Sequence, residues 1–236
     1  MNPKLVTFDC ALTLVKVPQG WSIGAFAADC ARHVGLSPTA QDAELYRSMY
    51  KQRLPEFVAV NMSRDAARQE AFWYDLASDW LASTEMPMNS LEAMQEAAQE
   101  LGFGPNSILF ELYDDVIPCL DALDAMGIRA AVVSNWDYSL HRVLRMFGIY
   151  ERFVSVKASL EEGVEKPDPR LFEIALAEAG YRPEDVLHVG DDPTDDLHGA
   201  LAAGIRGVLI DRSLAQSKRP TIRSLSELPE AFAWID

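Results

Sequence analysis

Two textures of apolar and polar positions divide the chain. Leu5, Val6 and Phe8 form a short greasy run without polar alternation, the pattern of a strand covered on both faces of a parallel sheet, and the run stops on Asp9. From about residue 16 to residue 110 apolar positions recur at helical spacing instead. Ser37-Pro38 predicts a helix start with Ser as cap and Pro at the first helical position, and Tyr46, Met49 and Tyr50 follow on one face until Pro55 interrupts. Phe72, Trp73, Leu76 and Trp80 make a second stripe. Leu91, Met94, Ala98 and Leu101 make a third, opened by Asn89 with Glu92 three residues on. Stripes at this spacing predict packing between helices rather than an aromatic cage around a ligand. Gly102, Gly104 and Pro105 predict the exit from this helical stretch.

Beyond residue 114 helices and strands alternate. A helix over Val116, Leu120 and Leu123 is expected to end at Gly127, and a strand over residues 128–133 to end in Ser134-Asn135. The next helix carries Leu140, Val143, Leu144 and Phe147 and stops at Gly148, before a strand near residues 153–156. A charged loop leads to Lys166 and Pro167, with Asp168 capping a helix that Pro169 opens. A strand over residues 186–189 ends in Gly190 and Asp191, and Asp192, Asp195 and Asp196 follow within the next five positions. A helix over 197–203, a strand over 207–210 and a helical segment over 225–234, broken or restarted at Pro229, complete the pattern. Short Val/Ile-rich strands alternating with helices predict an α/β fold with a parallel sheet. The expected organisation is a core formed by residues 1–15 and 111–236, with residues 16–110 inserted as a helical domain.

Composition narrows the class. The 236 residues are 49% hydrophobic and 24% charged, near globular averages, so neither disorder nor a membrane class is indicated. No apolar stretch is long enough to span a bilayer, and an Asp inside the first apolar run with no small-residue cleavage site does not read as a signal peptide, so a cytoplasmic location is expected. Cys10, Cys30 and Cys119 are odd in number and widely spaced, which suits reduced core residues rather than disulfides or a zinc knuckle. A formal charge of -15 repels polyphosphate backbones and speaks against nucleic acid as a partner. A small anionic substrate remains compatible with that charge if a metal and a few placed cations reverse the sign locally.

Strands of a parallel sheet point the same way, so Asp9, Ser134, the Lys166 loop and Asp191 should gather along one edge, where α/β sheets bind ligands. Each supplies a different part. Asp9 is a candidate nucleophile, able to accept a phosphoryl or alkyl group. Asp9 and Asp191 offer the hard oxygen ligands that Mg2+ takes. Lys166 would neutralise charge between Asp9 and a phosphoryl group, and Ser134 and Asn135 could donate hydrogen bonds to its oxygens. Any one of these residues alone is ordinary for a loop or helix cap; four together at successive strand ends point to a site. The histidines His33, His141, His188 and His198 have no metal-site spacing and are expected to pack or lie at the surface.

With those residues in place the chain resembles the haloacid dehalogenase superfamily, in the branch with a helical cap directly after the first motif. Phe8-Asp9 to Thr13-Leu14 resembles its first motif, Val133-Ser134-Asn135 its second, and Glu165-Lys166-Pro167-Asp168-Pro169 with Leu171-Phe172 its third. His188-Val189-Gly190-Asp191 to Asp196, with Gly199-Ala200 and Ala203-Gly204, resembles its fourth. The resemblance implies a Rossmann-like parallel-sheet core, a mobile all-helical lid, and Mg2+-dependent chemistry through an aspartyl-enzyme intermediate. By the same carry-over Mg2+ is held by Asp9, the backbone carbonyl of Ala11 and Asp191, with Asp196 in support. Asp9, Ser134 and Lys166 are the expected catalytic residues, and Thr13, Ser134 and Asn135 are expected to bind substrate. The partner is then a small phosphorylated metabolite, with no nucleic acid and no membrane, the protein itself being a monomer or homodimer.

The pattern breaks at one point. Phosphatases of the family carry an Asp two residues after the nucleophile to protonate the leaving oxygen; this chain has Ala11 there, and Leu12 at a small, glycine-like position. Loss of a general acid typically costs roughly a hundred- to ten-thousandfold in rate. The expectation is therefore a phosphatase of weakened activity. The alternatives are a non-catalytic or regulatory binding protein on the same scaffold, a dehalogenase-like hydrolase, and a phosphonate-cleaving relative whose Schiff base would fall to Lys51.

Overall fold

The computed structural model describes residues 2–216 and 219–234. The chain divides into two compact units, Met1–Lys16 with Leu112–Asp236, and Val17–Glu111. The first unit opens with β1 (Leu5–Phe8), buried throughout, and a short β2 (Val15–Lys16). The second is helical: α1 (Ile23–His33), α2 (Ala40–Gln52), α3 (Leu54–Ser63), α4 (Ala66–Ser83) and α5 (Leu91–Phe103). The chain returns through β3 (Glu111–Leu112), which pairs with β2. Then follow α6 (Val116–Ala125), β4 (Arg129–Ser134), α7 (Ser139–Met146), β5 (Phe153–Ala158), α8 (Ser159–Glu162) and α9 (Pro169–Ala179). The last elements are β6 (Val186–Gly190), α10 (Gly199–Ala202), β7 (Arg206–Ile210), β8 (Thr221–Ile222) and α11 (Leu228–Ala231).

The main sheet runs β5-β4-β1-β6-β7-β8, and every neighbouring pair is parallel. This is the Rossmann-like α/β architecture. β1 lies inside the sheet with β4 on one side and β6 on the other, so strand order reverses at its position; Phe8 pairs with both Val132 and Val189. The residue after Phe8 therefore emerges at the crevice outside the strand ends. One sheet face is closed by α9, whose Leu171, Phe172, Ala175 and Leu176 pack with Leu5, Ala131, Val133 and Val186. Each fully buried Leu, Val or Phe side chain there contributes about 1.5–3 kcal/mol. That apolar load is what holds the strand ends in register beneath the site.

In the helical unit Phe57, Phe72 and Trp80 are buried, Tyr50 stacks on Trp73, and the Trp80 Nε1 donates to the Asp42 carbonyl at 2.7 Å. These aromatics make the unit's own packing. Its helix starts differ from the sequence expectation. α2 begins at Ala40, not at Ser37-Pro38, because Thr39 and Asp42 form a capping box: the Thr39 Oγ1 accepts from the Asp42 N–H at 3.2 Å and the Asp42 carboxylate accepts from the Thr39 N–H at 2.7 Å. Two reciprocal bonds outweigh a lone Ser cap. Pro55 opens α3 rather than merely interrupting α2. A 3₁₀ turn over Met88–Ser90 precedes α5, so Asn89 is not its cap.

In the core unit, β5 runs to Ala158, beyond the expected residue 156. The helical turn after β6 begins at Pro193 rather than at residue 197, because the Asp192 carboxylate accepts from the N–H groups of Thr194 at 2.7 Å and Asp195 at 2.8 Å. Asp168 and Pro169 open α9 as their pattern predicts. Among the described residues no helix is long and apolar enough to cross a membrane.

Candidate active site

Asp9 follows β1 directly, and its backbone N–H extends the ladder by donating to the Val189 carbonyl at 2.9 Å. Ser134 ends β4 and its hydroxyl donates to Asp9 Oδ1 at 3.0 Å. Lys166 comes from the loop before α9, and its ammonium donates to Asp9 Oδ1 and to Asp196 Oδ1, each at 2.5 Å. The Asn135 side chain holds that loop in place: its Oδ1 accepts from the Lys166 N–H at 2.7 Å while its Nδ2 donates to the Lys166 carbonyl at 3.0 Å and to Asp195 Oδ2 at 3.2 Å. The structure thus binds Asn135 to the lysine loop.

Asp196 sits in the helical turn Pro193–His198 and is pinned from three directions. Its Oδ1 accepts from Lys166 and is 3.1 Å from His188 Nε2, and its Oδ2 accepts from the Asp192 N–H at 2.9 Å. The approach is so close that a Cβ on Gly190 would overlap the Asp196 carboxylate, which requires glycine at that position. On the far side of the imidazole, His188 Nδ1 is 2.9 Å from Thr7 Oγ1. His188 is 1% exposed, so of the packing and surface roles expected for it the surface one falls away, and the buried ring also belongs to this network. A signal was present: Thr7 and His188 are polar interruptions in apolar strands, and they pair in register.

The remaining candidates lie in and around the turn after β1. Ala11 bridges to Val15, and the Leu12 N–H donates to the Val15 carbonyl at 2.7 Å. Leu12 adopts φ +57, the left-handed region that favours glycine, with its side chain 46% exposed. Thr13 is fully buried, and its Oγ1 has no hydrogen-bond partner, so the structure does not bring it onto Asp9. Lys51 is exposed on α2 in the helical unit.

Burial pushes the Asp9 carboxyl up, and the Asp196 charge adds to this against the opposing pull of Lys166. For Lys166 burial acts to lower the ammonium, but the Asp9 and Asp196 charges outweigh it and hold it above its ordinary value. Asp196 goes the other way: burial would raise it, and the hydrogen bonds from His188 and Lys166, together with the Lys166 charge, hold it well below the usual carboxylate range. Asp191 is pushed up to about 7 by burial and by the charges of Asp9 and Asp196. Oxygens of Asp9, Asp191 and Asp196 all lie within 4.8 Å of one another. With all three ionised, three carboxylates against one ammonium leave an excess of two negative charges, and the donors are hard oxygens. Such a set fits a divalent cation of the Mg2+ type.

A family model for haloacid dehalogenase-like hydrolases matches residues 4–204. The chain belongs to that family. Among relatives of this hydrolase, haloacid dehalogenase-like hydrolase domain-containing protein 3 of Danio rerio is 31% identical over 95% of this chain and 94% of its own length. Phosphoserine phosphatase of Thermus thermophilus is 37% identical, over 52% of this chain and 53% of its own. Among solved structures, a 2-haloacid dehalogenase from Pseudomonas syringae superposes with a TM-score of 0.65 at 25% identity, covering 98% of this hydrolase and 99% of that chain. Family membership and phosphatase relatives therefore agree with the constellation at the strand ends.

Proposed function

We propose that this hydrolase is a Mg2+-dependent phosphatase of a small phosphorylated metabolite, working through an aspartyl-phosphate on Asp9, with turnover weakened by Ala11. The observation that carries the reading is the division of labour at Asp9. Its Oδ1 accepts from both Ser134 and Lys166, while its Oδ2 has no hydrogen-bond donor among the described residues. Oδ2 is the oxygen assigned to attack phosphorus. The new bond joins Asp9 oxygen to phosphorus, and the bond from phosphorus to the substrate's ester oxygen breaks, that oxygen leaving with the electron pair. Water then attacks phosphorus, the Asp9–phosphorus bond breaks, and inorganic phosphate leaves with the carboxylate restored.

Lys166 sits where it can offset negative charge on the transferred group, and Ser134 and the lysine orient the carboxylate. Asp9, the Ala11 carbonyl and Asp191 would hold the Mg2+, with Asp196 occupied by Lys166 and His188 and so in a supporting place. When bound, the ion draws the charged phosphoryl group toward an otherwise anionic site. Ala11 offers no proton to the leaving oxygen, so substrates with acidic leaving groups, acyl and aryl phosphates, are turned over fastest. Residues 17–111 are assigned the role of the cap that sets specificity.

The test is to incubate the native protein and Asp9→Asn with acetyl phosphate or an aryl phosphate, with and without Mg2+, and to follow phosphoryl incorporation by mass spectrometry. The native protein gains one phosphoryl group only with the metal, and Asp9→Asn gains none. Equal inertness of both across a broad donor panel would end the phosphatase reading. One observation favours halide displacement as a second reading, because a halide leaves without a proton and Ala11 supplies none. The same preparation incubated with a short 2-haloacid decides it, by halide release that survives removal of Mg2+.

A further inference from the structure

We infer that His188 is a positioning residue of the reaction: by donating from Nε2 to Asp196 it fixes the carboxylate that aims the Lys166 ammonium at Asp9. The inference rests on the proposed aspartyl-phosphate chemistry for its kinetic consequence and on hydrogen-bond geometry for everything else.

Five groups form one unbroken buried chain. Thr7 Oγ1 meets His188 Nδ1 at 2.9 Å, His188 Nε2 meets Asp196 Oδ1 at 3.1 Å, and Lys166 bridges from Asp196 to Asp9 at 2.5 Å on each side. Thr7, His188, Asp196 and Lys166 are each no more than 3% exposed, so water does not substitute for a lost partner at low cost. The donor directions follow from what each group can do. The Asp196 carboxylate accepts from the Lys166 ammonium and from the Asp192 N–H, so towards the imidazole it can only accept again, which places the proton on Nε2. In the neutral imidazole Nδ1 then offers a lone pair, and the Thr7 hydroxyl is its donor. The competing acceptor for that hydroxyl, the Leu187 carbonyl, is 3.5 Å away, at the far limit of a hydrogen bond. Phe172 meets the imidazole edge-on with centroids 4.9 Å apart and holds the ring plane.

The consequence lies at the other end of the chain. A lysine ammonium is a point charge on a flexible stem and does not orient itself. Here its direction is set by two carboxylates, and one of them, Asp196, keeps its own rotamer through His188 on Oδ1 and the Asp192 N–H on Oδ2. Without the imidazole donor, Oδ1 is held by the lysine alone and the pair can turn away from Asp9 together. Register makes the arrangement possible: Thr7 and His188 are paired residues of β1 and β6, so the sheet fixes both ends of the imidazole before any loop is placed.

The test compares His188→Phe, which keeps a ring but no donor, with His188→Gln, whose amide nitrogen can reach the place of Nε2. Phosphorylation of Asp9 by acetyl phosphate with Mg2+ should slow by roughly 10–100-fold in His188→Phe, the usual loss for groups that orient a site's ligands, with little change in the donor concentration at half-saturation. His188→Gln should recover most of the native rate. A long-range proton–nitrogen spectrum of the imidazoles, with the His188 signals assigned by their loss in His188→Gln, should place the proton on Nε2 in the native protein, and Thr7→Val should relax that preference. The proposal is overturned if the proton sits on Nδ1, if His188→Phe keeps the native rate, or if His188→Gln is as slow as His188→Phe. Should the Phe variant not fold, the spectrum of the native protein and the rate of the Gln variant still decide. Should the native protein accept no phosphoryl group, the phosphatase reading fails by itself and the spectrum alone tests the orientation of His188.

Discussion

At position 11 a methyl group stands where the resemblance to the family's phosphatases calls for a carboxylic acid, while Asp9, Lys166 and the acidic cluster are brought together. If the acid is the missing part, restoring it should act selectively. Ala11→Asp should raise turnover of an alkyl phosphate by roughly a hundredfold or more and change that of an aryl phosphate far less, because an acidic phenol leaves without help. The ratio of the two rates in one folded variant is the measurement. No gain in a variant that still binds Mg2+ would place the block at Leu12, whose left-handed backbone and exposed side chain occupy the next position. Single residues also mark where the site was legible. Asp9, Ser134, Lys166, Asp191 and Asp196 could be picked out because a strand end needs only chain order to be located. His188 was visible only as a polar interruption, like Thr7; that the two are partners depends on register, which no spacing along one strand contains.

Elements tie the turn after β1 to the rest of the core through one ion pair. Arg212, just past β7, donates to Asp115 Oδ2 at 2.8 Å and Oδ1 at 3.1 Å and to the Thr13 carbonyl at 2.7 Å, and its guanidinium lies 3.6 Å from the centre of the Tyr113 ring. Asp115 precedes α6 and also accepts from the Ser224 hydroxyl at 2.7 Å and the Leu225 N–H at 2.9 Å. Burial alone would raise Asp115, but Arg212, Ser224 and Leu225 outweigh it and hold it below its ordinary value. The sign follows. A depressed acid stabilises the fold fully above its unfolded value of about 3.9 and loses that contribution as pH falls through the folded value. Asp115→Ala should cost about 2 kcal/mol at neutral pH, the scale of leaving partly buried donors unpaired, or roughly 4–8 °C in Tm for a chain of this length. The gap between native and variant melting curves should narrow below about pH 4; a gap independent of pH would show that packing, not the ion pair, is lost. None of this clamp is visible in the linear pattern, since Thr13, Asp115, Arg212 and Ser224 come from four separated segments. The main core strands and the helices with clear apolar stripes were legible, because greasy runs and helical stripes are local; the strand order was not, because pairing across a sheet leaves no mark along one segment. Helix starts at residues 37, 89 and 197 were misplaced, because Thr39 with Asp42, the turn at Met88–Ser90 and Asp192 compete for the same backbone N–H groups, and geometry decides between caps.

For the whole molecule, 36 acidic residues against 21 basic ones make a surplus of negative charge, and three of the acids converge at the end of β1 and β6. Asp191, pushed up to about 7 by burial and by its acidic neighbours, shows what this costs the metal-free fold. A carboxyl whose folded value is raised binds a proton more tightly folded than unfolded. Stability from this group is therefore intact below its ordinary value and declines as pH rises towards about 7, beyond which the loss is complete. A divalent cation at the same oxygens competes with the proton and removes the repulsion. The stabilisation by Mg2+ should then grow with pH: at a concentration of 100 times Kd it is worth about 2.7 kcal/mol, and since Kd falls as Asp191 gives up its proton, a fixed Mg2+ concentration should raise Tm more at pH 7.5 than at pH 5.5. Asp191→Asn should behave as the permanently neutral form, melting higher than the native protein without metal at pH 7.5 and gaining little when Mg2+ is added. Melting curves at the two pH values, with Mg2+ and with a chelator, read all four quantities at once. A Tm increment that is the same at both pH values, or that survives in Asp191→Asn, would mean that the ion binds elsewhere on this acidic surface and that Asp191 carries its raised value for a reason other than metal.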